Sequence, residues 1–503
     1  MLKHDLSTDL TVKKLWELAT GRGKIKADER LDERLQKSRN LVDDAVEKEQ
    51  PLYGVTTGFG PLVDRTVSRD QAVELQYNLL QQLGCNVGPA MPAEIARATL
   101  VTRLQAISRG YSAVRPVVAS RLIEMINSGV TPYLQEYGSV GASGDLVPLS
   151  RIARVLTGQD DIRLPDGSVK ANSPELLREN GLQALDLEPR DGLALVNGTS
   201  FSAAITGIYL KIAEELFREV AMPLSATQYL IFDDSIQHLS DEIYKVKDHP
   251  SAREVASKFR KWLDDEQPNG SHGVPQPPYS SRSLVLWYGI VREHLDQAQK
   301  LMAKELNAVD DNPLFDGEKG EVYHAANFQG TYVAQAADEI TQAMVKMANA
   351  AERQLNRLLH EKLNDDLPAF LAPQPVGVQS GLQGLQLLAT SLLADIRSKA
   401  ISHSSQTFPT NADNQDIVSM SANAALNARF VTEKVTYLLA AYRMAVARAL
   451  QLRSAINLPK PLQEWWNVEQ NARLRALDFK TVNYSRELEQ IFQHHVPWKA
   501  RQA

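Results

Sequence analysis

The stretch SANAALNARFVTEKVTYLLAAYRMAVARALQLRSAINL, residues 421–458, contains neither glycine nor proline. Apolar side chains recur in it at multiples of four positions: Leu426, Phe430, Leu438, Tyr442, Val446 and Leu450. This spacing predicts one slowly drifting apolar stripe on a long helix, and other helices must cover such a stripe. The stretch therefore predicts a bundle of long helices.

Other parts of the second half support the same prediction. Residues 331–367 also lack glycine and proline, and residues 283–309 and 382–401 contain a single glycine each. All three segments are rich in residues that favour helices, so each predicts a helix longer than average. We expect a long antiparallel helical bundle in residues 201–503.

The first half is more broken. Helical patterns at residues 93–109 and 113–128 are separated by glycines, and Asp166-Gly167 predicts a small surface hairpin. The sequence as a whole therefore predicts a mainly α protein. Residues 1–200 form the predicted N-terminal active-site region, because they contain an unusual glycine-rich run described below.

Composition excludes several classes of protein. Of the 503 residues, 43% are hydrophobic and 23% are charged, as in ordinary globular proteins. The net charge of -6 is spread along the chain without a basic cluster, which argues against nucleic acid as a partner. Arg443 and Arg448 interrupt the most apolar segment, and the first residues lack a signal-like apolar run, so we expect a cytoplasmic protein without membrane contact. A single cysteine, Cys85, excludes an intramolecular disulfide and a cysteine metal cluster, and we predict no metal site.

The glycine-rich run is GSVGASGDLVPLS, residues 138–150, with Ala142-Ser143-Gly144 at its centre. A flexible loop is the default interpretation, and the spacing of phosphate-binding glycine motifs is absent. A third interpretation is covalent: the Gly144 nitrogen attacks the Ala142 carbonyl, water is lost, and dehydration then turns Ser143 into an electrophilic alkene. Glycine suits the attacking position because it has no Cβ.

Five further motifs accompany this run: YGVTTGFG at 53–60, LVNGTS at 195–200, QPPYSSR at 276–282, ELNAVDDNP at 305–313 and NQD at 414–416. In this order and spacing, from about residue 11 to about residue 455, the chain resembles the aromatic amino acid ammonia-lyase and aminomutase family. The resemblance implies the ammonia-lyase fold, which is similar to that of fumarase and aspartase. It also implies a homotetramer whose active sites are shared between chains. The prosthetic group it implies is 4-methylideneimidazol-5-one (MIO), formed autocatalytically from Ala142, Ser143 and Gly144 without an external cofactor.

The same resemblance assigns roles to other residues. Tyr53 matches the base that takes the β-proton. Because a phenol ordinarily has a pKa near 10, this role requires positive electrostatics nearby. Arg282 matches the residue that binds the substrate carboxylate, for which a guanidinium is well shaped. Tyr279 would hold the amine or the prosthetic group, and Asn197 would hydrogen-bond the prosthetic group or the carboxylate.

Gln276 and Phe328 fall at further pocket positions. Each of these residues also has an ordinary interpretation as a turn, surface or packing residue. One departure from the family is visible: relatives commonly have Gln-Asp before the tyrosine and Leu before the arginine, where this chain has Gln276-Pro277 and Ser281. This departure leaves the role of Gln276 open.

Two positions bear on the substrate. Gln415 stands where histidine lyases of the family have a glutamate, and a neutral amide gives an imidazolium no compensating charge. At the pair Gln82-Leu83, histidine lyases typically show Ser-His, phenylalanine lyases Phe-Leu and one group of tyrosine lyases His-Leu. Gln82 could hydrogen-bond a phenolic hydroxyl, which favours tyrosine, with phenylalanine as a second substrate.

Four alternatives are considered at this stage. A 2,3-aminomutase would use the same residues and return ammonia to the β-carbon, and a histidine lyase would differ in substrate. A catalytically inactive helical scaffold would need none of Tyr53, Ser143 and Arg282. A fumarase-like lyase would carry its own signature serine loop, which this sequence lacks.

Overall fold

The structure, a computed structural model, describes residues 2–231, 236–263 and 276–498. Helices dominate these residues, as predicted. The α-helices in chain order are α1 (Val12–Ala19), α2 (Leu31–Glu47), α3 (Ala72–Gln82), α4 (Ala93–Ile107), α5 (Pro116–Ser128), α6 (Leu146–Leu156), α7 (Pro174–Glu179), α8 (Asp191–Val196), α9 (Ser200–Ile231), α10 (Asp241–Lys247), α11 (Pro250–Trp262), α12 (Tyr279–Arg282), α13 (Leu284–Glu305), α14 (Thr331–Leu359), α15 (Gln383–Ser398), α16 (Ser421–Leu452), α17 (Lys460–Asn467), α18 (Ala472–Arg475) and α19 (Tyr484–His495). Short 3-10 turns lie at Gly60–Leu62, Arg69–Gln71, Ile236–Leu239, Ala369–Leu371 and Glu469–Asn471.

The strands are short and form small sheets. In chain order they are β1 (Leu2–Asp5), β2 (Gly23–Lys26), β3 (Val87–Ala90), β4 (Thr131–Pro132), β5 (Gln135–Tyr137), β6 (Asp161–Arg163), β7 (Val169–Ala171), β8 (Leu314–Asp316) and β9 (Glu321–Tyr323). β1 and β2 pair in parallel, whereas β3–β5, β4–β6–β7 and β8–β9 are antiparallel. The predicted hairpin is confirmed, since β6 and β7 pair around Asp166-Gly167.

The long helices lie where the sequence predicted them, but all four end earlier. α14 ends at Leu359 instead of residue 367, and α16 ends at Leu452 instead of residue 458. α13 ends at Glu305 instead of residue 309, and α15 ends at Ser398 instead of residue 401. A segment without glycine or proline permits a helix but does not fix its last turn.

Contacts divide the chain into two compact units. The first unit comprises Met1–Lys211, Ala298–Asp338 and Ser402–Arg429, and the second comprises Ile212–Gln297, Glu339–Ile401 and Phe430–Ala503. Four of the five boundaries fall within α9, α13, α14 and α16, and the fifth, between Ile401 and Ser402, follows α15. The division at residue 200 expected from sequence stays a prediction.

In the first unit, packed helices bring distant parts of the sequence together. α4 is buried along almost its whole length and packs against α1 and α5. α3, α6 and α8 pack on one another, and all residues of α8 are buried. α6 begins within the glycine-rich run, directly after Ala142-Ser143-Gly144 and Asp145, Asn197 follows α8, and Gln82 ends α3. This packing therefore brings the Ala142-Ser143-Gly144 segment, Asn197 and Gln82 near each other.

In the second unit, α11 packs against α10 and α17. Aromatic rings fill parts of its core: Phe217 stacks on Tyr288 with ring centroids 4.2 Å apart, and Tyr437 stacks on Phe492 at 4.0 Å. Of the Pro/Gly-rich segment 266–283, residues 266–275 lie outside the described residues. In the part of the chain that is described, no helix combines the length and apolar character needed to cross a membrane.

Candidate active site

A cavity of about 720 Å³ in the first unit gathers most of the predicted site residues. Those that line it are Tyr53, Gln82, Leu83, Ser143, Asn197, Phe328 and Gln415. They lie far apart in sequence, and the volume is within the range of small-molecule sites. The convergence of these polar and aromatic side chains indicates a binding site.

The Ala142-Ser143-Gly144 segment lies against residues 197–198. Gly144 has φ of +67°, and a Cβ added to it would lie 2.6 Å from the Cα of Gly198 and overlap its carbonyl group. The next amide, of Asp145, donates to the Gly198 oxygen at 2.7 Å. On the other side, the hydroxyl of Ser419 donates to the Gly141 oxygen at 2.8 Å. The segment is therefore held at both ends, and only glycine fits at position 144.

Asn197 connects this segment to a buried charge pair. Its Nδ2 donates to the Ser143 carbonyl oxygen at 3.2 Å, and its own carbonyl accepts from Nη1 of Arg103 at 2.6 Å. The same Nη1 lies 3.1 Å from Oδ1 of Asp310, and the Arg103 side chain is fully buried. A charge-assisted hydrogen bond in such surroundings fixes the position of Asn197 firmly.

A buried carboxylate supports the start of α9. Oδ2 of Asp145 accepts from the amide and the hydroxyl of Ser202, each at 2.8 Å, and Oδ1 accepts from the Ser139 hydroxyl at 2.7 Å. A helix N-terminus stabilises negative charge. Burial nevertheless raises the pKa of Asp145 to about 6; the hydrogen bonds oppose this rise, and the negative charge of Asp310 adds to it.

Tyr53 is half-buried at the cavity wall. Its hydroxyl oxygen accepts a hydrogen bond from the Gly60 amide at 2.9 Å. It also interacts electrostatically with Arg190, a fully buried cation that pairs with Asp311 at 2.8 Å. Burial lowers the pKa of Arg190, while attraction to Asp311 and, more weakly, to Tyr53 opposes that change. The Gly60 amide therefore gives the phenol oxygen one hydrogen-bond donor, while the Arg190 guanidinium is paired with Asp311.

Gln415 lies directly against Ser143. Its Nε2 donates to the Ser143 hydroxyl, and its Oε1 accepts from the Thr410 hydroxyl at 2.7 Å. Thr410 and Gln415 also pair through their backbones. This contact orders the amide beside the reactive serine.

One face of α3 forms another wall. Leu75, Asn78, Leu79 and Gln82 all line the cavity, and their spacing places them on one side of the helix. Gln82 is exposed at the end of α3, and Leu83 is half-buried. Asn78 lies four residues, about one helical turn, before Gln82, so helical spacing could have identified it from the sequence.

Three predicted residues lie elsewhere, in the second unit. Nη1 of Arg282 donates to Oε1 of Gln276, and its guanidinium carbon lies 4.7 Å from the ring centroid of Tyr279. Tyr279 is 73% exposed. Gln276, Tyr279 and Arg282 thus form one group, and none of them lines the cavity of the first unit. Ser281, the departure from the family pattern, is fully buried.

Sequence reasoning missed the charges beneath the site. Arg103, Arg190, Asp310 and Asp311 form a buried network, although only the two aspartates belong to a motif that we recognised. It also missed Asn312 and Asn411, which line the cavity. Within residues 2–231, 236–263 and 276–498, no group of three or more His, Cys, Asp or Glu side chains is placed to hold a metal.

Comparison with known proteins agrees with this geometry. The family model described as aromatic amino acid lyase matches residues 10–471. A tyrosine ammonia-lyase from Cupriavidus metallidurans is 37% identical over 436 residues, which cover 82% of this chain and 80% of that protein. A MIO-dependent tyrosine 2,3-aminomutase from Streptomyces globisporus is 34% identical over 88% of this chain and 85% of its own length. The solved structure of the Pantoea agglomerans phenylalanine aminomutase covers 98% of both chains with a TM-score of 0.90 and 28% identity. The predicted ammonia-lyase fold is confirmed by this likeness.

Proposed function

The chain belongs to the aromatic amino acid lyase family, and on that premise we propose that it eliminates ammonia from L-tyrosine to give trans-p-coumarate. It would also accept L-phenylalanine and give cinnamate. The observation that carries this proposal is the single cavity that holds Tyr53, Ser143 and Asn197 beside the selecting residues Gln82 and Gln415. We further propose that the enzyme is cytoplasmic and homotetrameric, as the resemblance implies.

The residues around Ser143 fit MIO as the prosthetic group. Gly144 occupies a left-handed, Cβ-free position against Gly198, and Asn197 donates to the Ser143 oxygen that becomes the ring carbonyl. Two waters leave when the group forms, one as the Gly144 nitrogen closes on the Ala142 carbonyl and one as Ser143 loses its hydroxyl. Once formed, MIO supplies an electrophile for the substrate amine.

The other residues bind the substrate and move the proton. Oη of Tyr53 takes the β-proton as a phenolate and becomes neutral, and the Gly60 amide that donates to this oxygen stabilises the negative charge that it carries before the transfer. Arg282 binds the carboxylate with its guanidinium fork, assisted by Tyr279 and Gln276. As the family resemblance implies, we propose that each site is shared between chains.

Substrate choice rests on Gln82, Leu83 and Gln415. Gln82 is an exposed amide on the cavity wall, so it can pair with a phenolic hydroxyl, while Leu83 and Phe328 contact the ring. Gln415 has no charge to offer an imidazolium, which disfavours histidine. A site that hydrogen-bonds the ring hydroxyl favours tyrosine over phenylalanine.

A 2,3-aminomutase is the second candidate, because the family relatives include aminomutases of comparable similarity. The two reactions share the base and the prosthetic group and differ in how long the unsaturated acid stays bound.

Product analysis tests the proposal. Purified enzyme is incubated separately with tyrosine, phenylalanine, histidine and DOPA, and the products are identified. We expect p-coumarate from tyrosine at the highest kcat/KM. A β-amino acid as the main product would establish the aminomutase instead, and urocanate would overturn the assignment of the substrate.

A further inference from the structure

A chain of buried hydrogen bonds leads through the second unit to the segment that carries Arg282. Nε2 of Gln354 on α14 donates to the carbonyl oxygen of Ser280 at 2.9 Å. Oε1 of the same amide accepts from the Tyr442 hydroxyl at 2.8 Å, and that hydroxyl lies 2.6 Å from Oγ1 of Thr227. The side chains of Gln354, Tyr442 and Thr227 are fully buried. Polar side chains from α9, α16 and α14 therefore form one buried chain, which ends at the Ser280 carbonyl.

The direction of this chain is fixed. A backbone carbonyl can only accept, so the amide nitrogen of Gln354 must face Ser280. Its oxygen then faces Tyr442, which must donate. Reversing the amide would place Oε1 of Gln354 against the Ser280 carbonyl and leave two buried acceptors without a donor, at about 1–3 kcal/mol for each group. The arrangement thus admits one orientation of Gln354.

Ser281 provides a second attachment, one residue closer to Arg282. Its fully buried hydroxyl donates to Oε1 of Gln228 on α9. This is the position where the chain departs from the leucine common in relatives. The backbone carbonyl of residue 280 and the side chain of residue 281 are therefore both held by buried glutamines, immediately before the arginine.

We propose that Gln354, Tyr442 and Ser281 are positioning residues that hold Arg282 where it binds the substrate carboxylate. This inference rests on the proposed function of Arg282. A guanidinium pairs with a carboxylate in two parallel hydrogen bonds only when it is placed accurately, and its neighbours determine that placement. The carboxylate is bonded to Cα, beside both bonds that break, so its placement affects binding and also the geometry of elimination. Loss of its placement therefore raises KM and also lowers kcat.

The test compares Gln354→Leu, Tyr442→Phe and Ser281→Ala in the full-length enzyme. With the amino acid that the wild type converts, we expect Gln354→Leu to raise KM about tenfold and to lower kcat as well. This is the loss expected from one or two buried hydrogen bonds. Tyr442→Phe and Ser281→Ala should have smaller effects in the same direction, since each leaves the Gln354 bond to Ser280 in place. These two variants also keep the test valid if Gln354→Leu fails to fold.

Two further measurements separate positioning from a general structural role. The Kd of p-coumarate should weaken in parallel with KM, whereas the Kd of the corresponding alcohol, which lacks the carboxylate, should not change. In an Arg282→Ala background, Gln354→Leu should have no additional effect on p-coumarate binding, because the group that it positions is gone.

A matched control is Tyr288→Phe. Tyr288 is another buried tyrosine of the second unit, and its hydroxyl donates to the Phe217 carbonyl instead of the Arg282 segment. It should leave both dissociation constants unchanged. The inference would be overturned if the variants weakened the binding of p-coumarate and of the alcohol equally. It would also be overturned if Gln354→Leu still weakened p-coumarate binding in the Arg282→Ala background. A wild type that binds no aromatic amino acid and no p-coumarate would overturn the proposed function as well.

Discussion

Replacing Gly144 by alanine tests whether the close approach of two backbone segments is what the reactive site depends on. The new Cβ would lie 2.6 Å from the Gly198 Cα and overlap the Gly198 carbonyl. The segments cannot separate easily, because the Asp145 amide is bonded to the Gly198 oxygen and Arg103 holds the Asn197 carbonyl. Two penalties follow, one from the left-handed backbone and one from the collision.

The chain offers a control that carries only the first penalty. Gly181 has φ of +74°, close to the +67° of Gly144, but a Cβ there would meet nothing within 4 Å. Gly181→Ala should therefore destabilise the protein by about 1 kcal/mol, as expected for a left-handed alanine. Gly144→Ala adds the effect of overpacking, typically about 1–3 kcal/mol, or else displaces the loop.

The intact mass of the denatured chain and the kcat/KM of the native enzyme report the outcome. The wild type and Gly181→Ala should both lack the mass of two waters and retain activity. The mass of Gly144→Ala should still include the two waters, and its kcat/KM should fall by at least about 100-fold. This is the level expected of Ser143→Ala, which has no hydroxyl to lose. A Gly144→Ala chain with the two-water loss and normal activity would refute the reasoning.

Three further predictions follow from the site. Co-assembly of the inactive variants Tyr53→Phe and Arg282→Ala should restore part of the activity if these residues reach one site from different chains; a fully active monomer by light scattering would contradict this. Gln82→Phe should shift the ratio of kcat/KM about tenfold towards phenylalanine, since an exposed hydrogen bond contributes around 1 kcal/mol; an unchanged ratio would exclude Gln82 as the selector. Because the pKa of Asp145 rises from 3.8 to about 6 on folding, ionisation of Asp145 removes about 3 kcal/mol of stability as pH rises through this window. The free energy of unfolding of Asp145→Asn, measured by denaturant titration, should therefore rise by about that much relative to the wild type between pH 3.5 and pH 7.5. A difference between the two proteins that does not change with pH would contradict the burial argument.

The sequence predicted the long helices because their apolar periodicity and freedom from glycine and proline are local properties. α14 and α16 begin where the predicted segments begin and end early, because the absence of glycine and proline permits a helix to continue but does not fix its last turn. The residues that converge on the cavity were predicted through motifs. Their convergence depends on the packing of α3, α6 and α8, which no single motif encodes.

The residues that fix the motif segments in place were harder to predict from the sequence. Arg103 and Arg190 lie in sequence surroundings that do not distinguish them from surface arginines, yet both are fully buried. Gln354 and Tyr442 likewise look like ordinary positions on amphipathic helices, and Ser281 was noticed only as a departure. Their importance comes from partners far away in sequence, which become neighbours only in the folded chain.

The buried ion pairs beside the cavity explain how the polar loops of the site are held rigidly. Arg103 is paired with Asp310 and Asp311, and Arg190 with Asp311, so each cation has a carboxylate partner in the same region. Each also donates to backbone carbonyls: Arg103 to Asn197, and Arg190 to residues 112, 312 and 313. Removing one member of such a network leaves a buried charge without a partner, which typically destabilises a protein by about 3–5 kcal/mol. The loops that carry Asn197 and Asn312 are therefore fixed by ion pairs before any substrate arrives. A reaction that needs Tyr53, Ser143 and Asn197 at fixed positions relative to one another depends on ordering of this kind.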